Sequence, residues 1–368
     1  MKIVLTGGHL SPLLSVIDTL PKEAEILVVG RKKALEGDIA FSLEYQTLEE
    51  KKIPFKSIVT GRWQRRFTKH TIFSFFKIPV GFFQSFFILK KFKPDVVLSF
   101  GSYVSLPVTF TAFILSIPVV LHEQTLEAGL SNRIAGFFAK KICISWKSSE
   151  KFFPKLKTVL TGNPVREFGI KKQELRINNN DGLPVIYITG GSLGSHAINV
   201  LVEGCLEKLL EKFIVFHQTG DAKEFEDFKR LEKIKASLPQ KLQERYNLTK
   251  FVEPEKVGSI IYSSSFVVSR SGINTITELF YFGKPSILIP LPFSQNNEQF
   301  KNALFFKEAG FGEILDQEKA DSKDLYDRAE LMLNNLDKYK QSAENAKNQI
   351  NKDAAEEIVK VLNNYAKN

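Results

Sequence analysis

The chain has 368 residues, of which 43% are hydrophobic and 25% are charged, and its formal net charge is +10. This length exceeds what one ordinary core needs, so two domains are expected. Two cysteines and five histidines are too few for a disulfide framework or a zinc cluster, and they are typical of a reducing cytoplasm. The basic excess favours an anionic partner: nucleic acid, anionic lipid or a phosphorylated ligand.

Short apolar segments alternate with helical patterns along the whole chain. Strands that are apolar throughout are typical of parallel sheets covered on both faces, so the pattern predicts α/β architecture with two doubly wound domains. A helix is predicted over residues 197–212, where apolar residues recur every four positions. The predicted strands are residues 2–5, 25–29, 96–99, 119–121, 142–145, 158–160, 185–189, 213–216, 250–252, 266–268 and 286–289.

The domain boundary is predicted just after residues 162–164, because residues 171–182 are polar and have the composition of an exposed loop. The prediction is an N-terminal domain of residues 1–163, a C-terminal domain of residues 164–350, and a helix of residues 351–368 that packs back on the first domain. Residues 104–121 are uncharged and of transmembrane length, but Pro107 and Pro118 favour a buried helix followed by a strand. No signal peptide is predicted, since only three apolar residues follow Met1-Lys2.

Four glycine-bearing turns directly follow predicted strands, two in each half of the chain. Free backbone N–H groups in such a turn, at the positive end of a helix dipole, can hold phosphate. The pattern therefore suggests two nucleotide-type domains that face one cleft, with a phosphorylated ligand between them. The turns are Thr6-Gly7-Gly8-His9, Gly101-Ser102-Tyr103, Gly190-Gly191-Ser192-Leu193-Gly194-Ser195 and Ser269-Arg270-Ser271-Gly272.

The first of these turns precedes a predicted helix that runs to about Leu20. Ser11 and Pro12 are a favourable N-cap and N1 pair for it. In a functional interpretation, the amides of the turn approach an anionic ligand and His9 is a general base. A structural turn with an incidental histidine fits the same residues equally well.

The turns of the second half allow two interpretations as well. Ser192 can donate to a phosphate oxygen, or it can belong to an ordinary strand-to-helix turn. Thr275 and Glu278 have the spacing of a capping box, although Glu278 can also accept hydrogen bonds from ribose hydroxyls. Arg166, at the predicted domain junction, can bind a ligand or be a solvated linker charge.

Polar residues at the carboxyl ends of parallel strands are where open α/β sheets place ligands. His122 and Glu123 end a strand of the first half, and Gln299 follows a proline-rich loop of the second. These residues are either ligand contacts or ordinary polar residues at a sheet edge.

Basic and aromatic residues cluster over residues 62–87, which include Arg62, Trp63, Arg65 and Arg66, followed by eight phenylalanines and two lysines. This combination suits adsorption to an anionic lipid surface. The alternative is that many of the phenylalanines form the core face of one or two helices. The sequence contains no nucleic-acid-binding motif.

Taken together, these segments resemble the MurG family, the inverting glycosyltransferases that complete lipid II in bacterial cell-wall synthesis. The resemblance spans nearly the whole chain. It is carried by residues 6–9, 101–105, 122–124, 161–166, 190–194, 217–220, 269–272 and 297–299, together with Glu278, Asn302 and Ala303.

The resemblance implies a GT-B fold of two Rossmann-like domains, with UDP-N-acetylglucosamine held mainly by the C-terminal one and with no cofactor or catalytic metal. It implies that the uracil is contacted by Arg166 and the backbone near Val252. The diphosphate would lie at Gly191 and Ser192, the ribose at Glu278 and the sugar hydroxyls at Gln299.

In the N-terminal domain the resemblance implies that Thr6, Gly7, Gly8 and His9 lie beside the reacting groups and the acceptor pyrophosphate. The acceptor would be undecaprenyl-pyrophosphoryl-N-acetylmuramoyl-pentapeptide. Residues 62–87 would bind the cytoplasmic face of the cell membrane. For the base that takes the proton of the attacking muramoyl 4-hydroxyl, His9 is the first choice and Glu123 the second.

The chain departs from the family pattern at several positions. Thr125 stands in place of a usual Asn and affects a sugar hydrogen bond, Leu193 replaces a Gln, and Ser102 replaces a Gly. The first glycine loop is also shorter than usual. Two other functions remain open: a UDP-N-acetylglucosamine epimerase of similar architecture, and a non-enzymatic membrane-surface protein with a degenerate nucleotide site.

Overall fold

The computed structural model describes residues 1–33, 41–59, 69–165, 181–191, 193–222 and 224–366, with the backbone alone at residues 43, 69–78, 255, 295 and 348. The chain divides into two units. The first comprises Met1–Arg166 with Asn351–Asn368, and the second comprises Glu167–Ile350.

The first unit is built on a seven-stranded sheet in which all strands are parallel, in the order β3-β2-β1-β4-β5-β6-β7. The strands are β1 (Lys2–Thr6), β2 (Glu25–Gly30), β3 (Phe55–Ser57), β4 (Val96–Ser99), β5 (Val119–Glu123), β6 (Lys141–Ile144) and β7 (Thr158–Leu160). The helices between them are α1 (Leu10–Thr19), α2 (Leu43–Glu50), α3 (Lys69–Phe92), α4 (Ser105–Ile114) and α5 (Leu130–Gly136), followed by 3-10 turns at Lys147–Phe152 and Lys155–Lys157.

The second unit has a six-stranded parallel sheet in the order β10-β9-β8-β11-β12-β13. Its strands are β8 (Val185–Thr189), β9 (Ile214–Gln218), β10 (Tyr246–Thr249), β11 (Phe266–Ser269), β12 (Ser286–Leu288) and β13 (Gly312–Ile314). Its helices are α6 (His196–Lys212), α7 (Asp227–Ser237), α8 (Gln240–Arg245), α9 (Pro254–Ser263), α10 (Ile273–Phe282), α11 (Glu298–Glu308), α12 (Ser322–Asn334) and α13 (Leu336–Ala346), with 3-10 turns at Gln295–Asn297 and Lys347–Gln349.

Both sheets have the same topology, and this topology positions the candidate site. In each unit the first strand lies inside the sheet, with the second strand on one side and the fourth on the other. The chain therefore reverses its winding direction between the first and the fourth strand. Ligands of open α/β sheets bind outside the carboxyl ends of the strands at this switch point. It lies between β1 and β4 in the first unit and between β8 and β11 in the second.

Buried residues of the central strands alternate between two cores, because successive side chains of a strand point to opposite faces. In β1, Ile3 and Leu5 face a core that includes residues of α1, whereas Val4 faces a core that includes residues of α4. All three side chains are fully buried. This double burial explains why the strand sequences are apolar throughout and do not alternate.

The last helix, α14 (Ala354–Asn363), completes the core of the first unit. Its Ile358 and Leu362 are fully buried among residues of β1 and α1. Just before the helix, the Asn351 side-chain amide donates to the Thr161 carbonyl at 2.9 Å. Gly162, with φ of +88°, lies so close that a Cβ there would come within 2.9 Å of the Asn351 Cβ.

The α/β architecture with two parallel sheets is confirmed, as is the buried helix and strand over residues 104–121, which form α4 and β5. Within the described part of the chain, no helix combines the length and the apolar content needed to span a bilayer. The predicted strand at residues 250–252 is wrong, because β10 ends at Thr249, and β3 and β13 were not predicted. All three lie at sheet edges, where one side lacks a neighbouring strand and the composition is less apolar.

Replacing Ile358 by Ala should destabilise the protein by about 2–5 kcal/mol, because a fully buried side chain of the first core is truncated and leaves a cavity. Denaturant unfolding, followed by circular dichroism, measures the change. Asn363→Ala, at an exposed position of the same helix, is the control and should stay within about 0.5 kcal/mol. Equal stability of both variants would contradict the assignment of α14 to this core.

Candidate functional site

The turn after β1 places backbone amides and His9 at the carboxyl edge of the first sheet. The Gly7 N–H donates to the Val29 carbonyl at 2.9 Å and therefore extends the sheet, whereas the Gly8 N–H donates to the Glu44 carboxylate at 3.2 Å. Helix α1 begins at Leu10, with His9 as the N-cap residue. The prediction that Ser11 is the N-cap is therefore wrong, and Pro12 lies inside the first turn, where no intrahelical N–H bond is lost.

The turns after β1 and β4 are in direct contact. A Cβ on Gly8 would lie 2.8 Å from the Ser102 Cβ and 3.0 Å from the Gly101 carbonyl oxygen. Gly101 and Ser102 both have positive φ, +85° and +71°, a region that favours glycine. Only a residue without a side chain at position 8 lets the two turns meet at the switch point.

Two neutral histidines lie at this edge. Burial lowers the pKa of His9 to about 4, and burial also lowers that of His122 to about 4, with the nearby His9 adding to the shift. The His122 Nε2 lies 3.2 Å from both the Gly162 carbonyl oxygen and the Ser145 hydroxyl. A charged imidazole is disfavoured in both places because burial penalises the charge, and at His122 the neighbouring His9 adds to the effect.

Glu123, at the end of β5, is buried and accepts four hydrogen bonds. The donors are the Thr125 N–H at 2.9 Å, the Thr125 hydroxyl at 2.6 Å, the Gly129 N–H at 3.0 Å and the Asn132 amide at 3.0 Å. Burial raises the pKa of Glu123, and these hydrogen bonds oppose the rise. The carboxylate therefore holds the loop that leads into α5 in place. Thr125 contributes to this with both its N–H and its hydroxyl, which donate to Glu123.

A cavity of about 250 Å³ opens at the same edge. It contains two charged residues that the sequence analysis did not single out, Arg31 and Glu44. Arg31 directly follows β2, and that strand-end position was the signal available in the sequence. The lining residues are Gly7, Gly8, Leu10, Gly30, Arg31, Ser42, Glu44, Ser102 and Val104.

In the second unit, the turn after β8 is held tightly against the turn after β9. The Gly191 N–H donates to the Thr189 hydroxyl at 3.0 Å, and its carbonyl accepts from the Gln218 amide at 3.3 Å. A Cβ on Gly194 would overlap the Thr219 carbonyl, and one on Gly220 would overlap the Leu193 carbonyl. Ser192 and Arg166 lie outside the described residues, so their predicted roles stay predictions.

Helix α6 begins at His196 directly after this turn, and its N-cap residue is Ser195. The Ser195 hydroxyl accepts from the Ile198 N–H at 3.4 Å and from the Arg270 guanidinium at 2.7 Å. Arg270 also donates to the Ile289 carbonyl at 2.9 Å, and burial lowers its pKa to about 10. Arg270 thus joins the strand ends of β11 and β12 to the start of α6, a role that sequence reasoning missed.

Glu278 and Gln299 lie on helices that begin at the same edge of the second sheet. Helix α10 begins at Ile273 after the N-cap Gly272, so the predicted capping box of Thr275 and Glu278 is wrong. Glu278 is half-buried, and it contributes to a raised pKa of Tyr187 in β8, of which burial is the larger cause.

The backbone of Gln299 accepts from the Ser271 hydroxyl at 2.7 Å, and its side-chain oxygen accepts from the Leu291 N–H at 3.0 Å. Gln299 therefore ties the loop after β12 to the turn after β11. Val252 is buried in the segment between β10 and α9.

The two units thus each gather their predicted residues at one sheet edge. The first unit brings together Thr6, Gly7, Gly8, His9, Glu123 and Thr125, and the second brings together Gly191, Glu278 and Gln299. Within the described residues, no cluster of three or more His, Cys, Asp or Glu side chains has the geometry of a metal site.

The matches to family models follow the same division. The glycosyltransferase family 28 N-terminal domain matches residues 4–144, and the glycosyltransferase family 28 C-terminal domain matches residues 185–358. Two parallel sheets with glycine turns at their switch points, matched in this order, are the fold and site of a family 28 glycosyltransferase.

Relatives extend the match to nearly the whole chain. A UDP-N-acetylglucosamine--N-acetylmuramyl-(pentapeptide) pyrophosphoryl-undecaprenol N-acetylglucosamine transferase of Treponema denticola is 37% identical over 84% of this chain and 81% of its own length. The protein of the same name from Clostridium kluyveri is 34% identical over 99% of both chains. The chain belongs to the MurG family.

Solved structures agree with this assignment. The crystal structure of Acinetobacter baumannii MurG is 25% identical and covers 99% of this chain and 100% of its own, with a TM-score of 0.73. A UDP-GlcNAc 2-epimerase from Neisseria meningitidis, bound to UDP-GlcNAc, has a TM-score of 0.66 over 98% of this chain and 99% of its own, but only 16% identity. At this identity the likeness to the epimerase shows a common fold.

Replacing Ser102 by Gly should stabilise the protein by up to about 1 kcal/mol, because its φ of +71° is strained for a residue with a Cβ. Thermal unfolding measures the gain. Ser102→Ala is the matched control, since it removes the hydroxyl and retains the strain, and it should give no gain. A stabilisation by Ala as large as that by Gly would show that the hydroxyl, and not the backbone, is unfavourable.

Proposed function

We propose that the protein transfers N-acetylglucosamine from UDP-N-acetylglucosamine to the 4-hydroxyl of lipid-linked N-acetylmuramoyl-pentapeptide, with inversion at the anomeric carbon. This step converts lipid I to lipid II in peptidoglycan synthesis. The observation that carries the proposal is the identity of 34% over 99% of both chains with a relative named for this transfer. The first unit takes the acceptor, and the second takes the UDP-sugar.

The start of α6 is suited to the donor diphosphate. A helix of 17 residues presents the positive end of its dipole and its first-turn amides beside the turn at Gly191. Arg270 adds a fixed positive charge next to the Ser195 N-cap. These groups stabilise the charge that builds on the departing diphosphate, a role that a metal ion has in other glycosyltransferases. Ser192 and Arg166 complete this donor site in the proposal.

The remaining donor contacts follow the edge of the second sheet. Glu278, half-buried on α10, accepts from the ribose hydroxyls, and the backbone near Val252 contacts the uracil. Gln299 holds the sugar hydroxyls from a position that its bonds to the loops after β11 and β12 make rigid.

In the first unit, His9 is the group best placed to take the proton of the attacking hydroxyl. It is half-buried at the start of α1, and its lowered pKa keeps it unprotonated at neutral pH. Glu123 is less suited to proton transfer, because four internal donors already bind its oxygens. Glu123 and Thr125 instead hold the acceptor-side loop in place.

The transfer of labelled N-acetylglucosamine to a synthetic short-chain lipid acceptor tests the proposal directly. We expect a disaccharide product with inverted configuration, and release of UDP that depends on the acceptor. Incubation with the donor alone is the control for hydrolysis and for epimerisation. An epimer formed without any acceptor would support the epimerase, and no binding of UDP-N-acetylglucosamine in calorimetry would support a non-enzymatic surface protein.

Replacing His9 by Ala should lower kcat about 100- to 10,000-fold, as loss of a general base does. The affinity for UDP should stay unchanged, since the donor site is in the second unit. At saturating acceptor, kcat of the unaltered protein should stay level from pH 8 down to about pH 5 and fall as the pH approaches the lowered pKa of about 4, because only the neutral imidazole accepts a proton. Turnover within a few-fold of the unaltered protein would remove His9 from this role.

Exposed aromatic residues on α3, on α4 and just after α5, helices that pack against one another in this order, support binding to an anionic membrane at its cytoplasmic face. Four phenylalanines are largely exposed: Phe83 by 67%, Phe87 by 66%, Phe113 by 53% and Phe137 by 78%. Lys90, Lys91, Arg133 and Lys140 on or beside these helices are exposed too. Apolar rings beside basic groups suit the headgroup region of anionic lipid.

This surface differs from the stretch that the sequence indicated. Residues 60–68 and the side chains of residues 69–78, which include Phe75 and Phe76, lie outside the described residues. Phe82 is half-buried, and its ring packs against Phe110 with centroids 5.3 Å apart, so it belongs to the interior. Phe113 and Phe137 come from later helices and were missed.

Replacing Phe83, Phe87 and Phe137 together by Ser should abolish sedimentation with liposomes that contain anionic lipid and leave activity on a short-chain soluble acceptor unchanged. Phe82→Ser is the matched control, because it should lower stability through lost packing. Unaltered sedimentation of the triple variant would contradict the membrane assignment of this surface.

A further inference from the structure

The cavity at the carboxyl edge of the first sheet already contains an anion, the side chain of Glu44. The carboxylate accepts from the Gly8 N–H at 3.2 Å, the one amide of the Gly7-Gly8 pair that the sheet does not use. In a phosphate-binding turn, this N–H points at the ligand. In the ligand-free protein, Glu44 thus has the position of a bound anion.

The position of Glu44 is built into the surrounding fold. A Cβ on Gly7 would overlap the carboxylate, and a Cβ on Gly30 would lie 3.1 Å from its Oε2. Two glycines therefore make the space that the carboxylate fills. The start of α2 is fixed as well, since the Ser42 hydroxyl caps the helix and donates to the Arg31 carbonyl at 2.8 Å.

Arg31 supplies the opposite charge for this carboxylate. Its guanidinium donates to the Tyr103 hydroxyl at 2.9 Å and lies over the ring at 5.2 Å from the centroid. An arginine held in this way can pair with a carboxylate or with a phosphate. The pocket therefore has an N–H donor, from Gly8, and a cation, Arg31. In the ligand-free protein the anion beside both is Glu44.

We propose that Glu44 is an internal competitor for the acceptor pyrophosphate: its carboxylate occupies the Gly8 N–H until the pyrophosphate displaces it. This inference rests on the proposed function, in which the Gly7-Gly8 turn receives that group. A free phosphate-bearing molecule gains little binding free energy when it displaces Glu44, because it only replaces one hydrogen bond to the Gly8 N–H by another. The acceptor adds the contacts of its sugar and peptide. Because displacing Glu44 costs both kinds of ligand the same free energy, Glu44 lowers the affinity for the acceptor and for free phosphate-bearing molecules alike, and only the acceptor has the additional contacts that offset this cost.

Protonation can relieve the competition. Burial raises the pKa of Glu44 to about 7, although the Gly8 N–H and the charge of Arg31 oppose the rise. The other titratable groups at this edge are His9 after β1, which is neutral above about pH 4, and Tyr103 after β4, which binds Arg31. A pyrophosphate that enters beside Glu44 disfavours its charge further, so binding should take up a proton.

Inhibition of transfer by inorganic pyrophosphate, measured against a short-chain soluble acceptor, tests the competition. Glu44→Gln keeps the shape of the side chain and removes its charge. We expect the variant to bind pyrophosphate roughly tenfold more tightly at pH 8, because a charged hydrogen bond no longer has to be replaced. Its KM for the acceptor should fall as well, and inhibition by UDP should be unchanged.

The pH dependence separates this effect from a general change of charge. We divide the inhibition constant of pyrophosphate for the unaltered protein by that for Glu44→Gln. This ratio should approach one at pH 6 and grow toward pH 8. Titration of pyrophosphate itself cancels in the ratio. Glu50→Gln is the matched control, since it makes the same charge change at an exposed position of α2 and should leave the inhibition constant unaltered.

Two outcomes would overturn the inference. Equal pyrophosphate inhibition of the Glu44 and Glu50 variants would show that no competition exists, and weaker inhibition in Glu44→Gln would make Glu44 a direct ligand of the substrate. Thermal unfolding checks that the variant folds, and Glu44→Asp, which keeps the charge but withdraws it by one methylene, should give an intermediate constant. If the unaltered protein transfers no sugar, the proposed function fails, and calorimetry with pyrophosphate still tests the competition.

Discussion

The structure depends on glycine at the points where strand-end turns touch. Gly8 meets the turn at Gly101 and Ser102, and Gly194 meets Gly220, at distances that exclude any Cβ. Because these turns approach so closely, helices α1 and α6 each begin beside the switch point of their own sheet. Each helix directs its first amides to the carboxyl edge of that sheet. A side chain at any of these glycines would separate the turns and withdraw the amides from a phosphate. The anion sites therefore follow from packing as much as from charge.

Charge at the first sheet edge is kept low by internal pairing. His9 and His122 are neutral because burial disfavours their protonation. Glu123 is surrounded by four donors, and Glu44 faces Arg31 and the Gly8 N–H. Among the described residues of this edge, both carboxylates, Glu44 and Glu123, are therefore compensated by donors or by a positive charge before a diphosphate enters. Of the two carboxylates, Glu44 has the fewer hydrogen bonds to break, which is why it and not Glu123 is the one that yields.

Sequence reasoning succeeded where burial dictates the residues and failed where contacts join distant segments. The inner strands were predicted because both faces of each sheet are buried and their side chains are apolar. At the sheet edges burial is less complete, so the sequences of the edge strands β3, β10 and β13 are less apolar. Ser11 and Thr275 have capping chemistry, but the N-cap residues are His9 and Gly272, two and three residues earlier, at positions set by the glycine turns. The glycine turn pointed to His9, and polar residues near strand ends pointed to Glu123 and Gln299; the structure places all three at these sheet edges, and their roles stay predictions. Glu44 and Arg270 were missed because their partners, Gly8 and Ser195, are 36 and 75 residues away in the chain.

At the positions where the chain departs from the family pattern, neighbouring groups keep the backbone of the turn or loop in place in different ways. Thr125 is shorter than the usual asparagine, yet its N–H and hydroxyl both bind Glu123, so the loop toward α5 keeps its anchor. Ser102 keeps the left-handed conformation that a glycine would adopt freely, at a cost in backbone strain of about 1–2 kcal/mol. Leu193 is 82% exposed, and the turn is held by backbone contacts, in which Gly194 and the Leu193 carbonyl meet the turn at Gly220. Each substitution thus leaves the backbone amides where a phosphate would need them. The groups suited to a phosphate in these turns therefore belong to the backbone, and the side chains at positions 102, 125 and 193 can differ from the family pattern without displacing them.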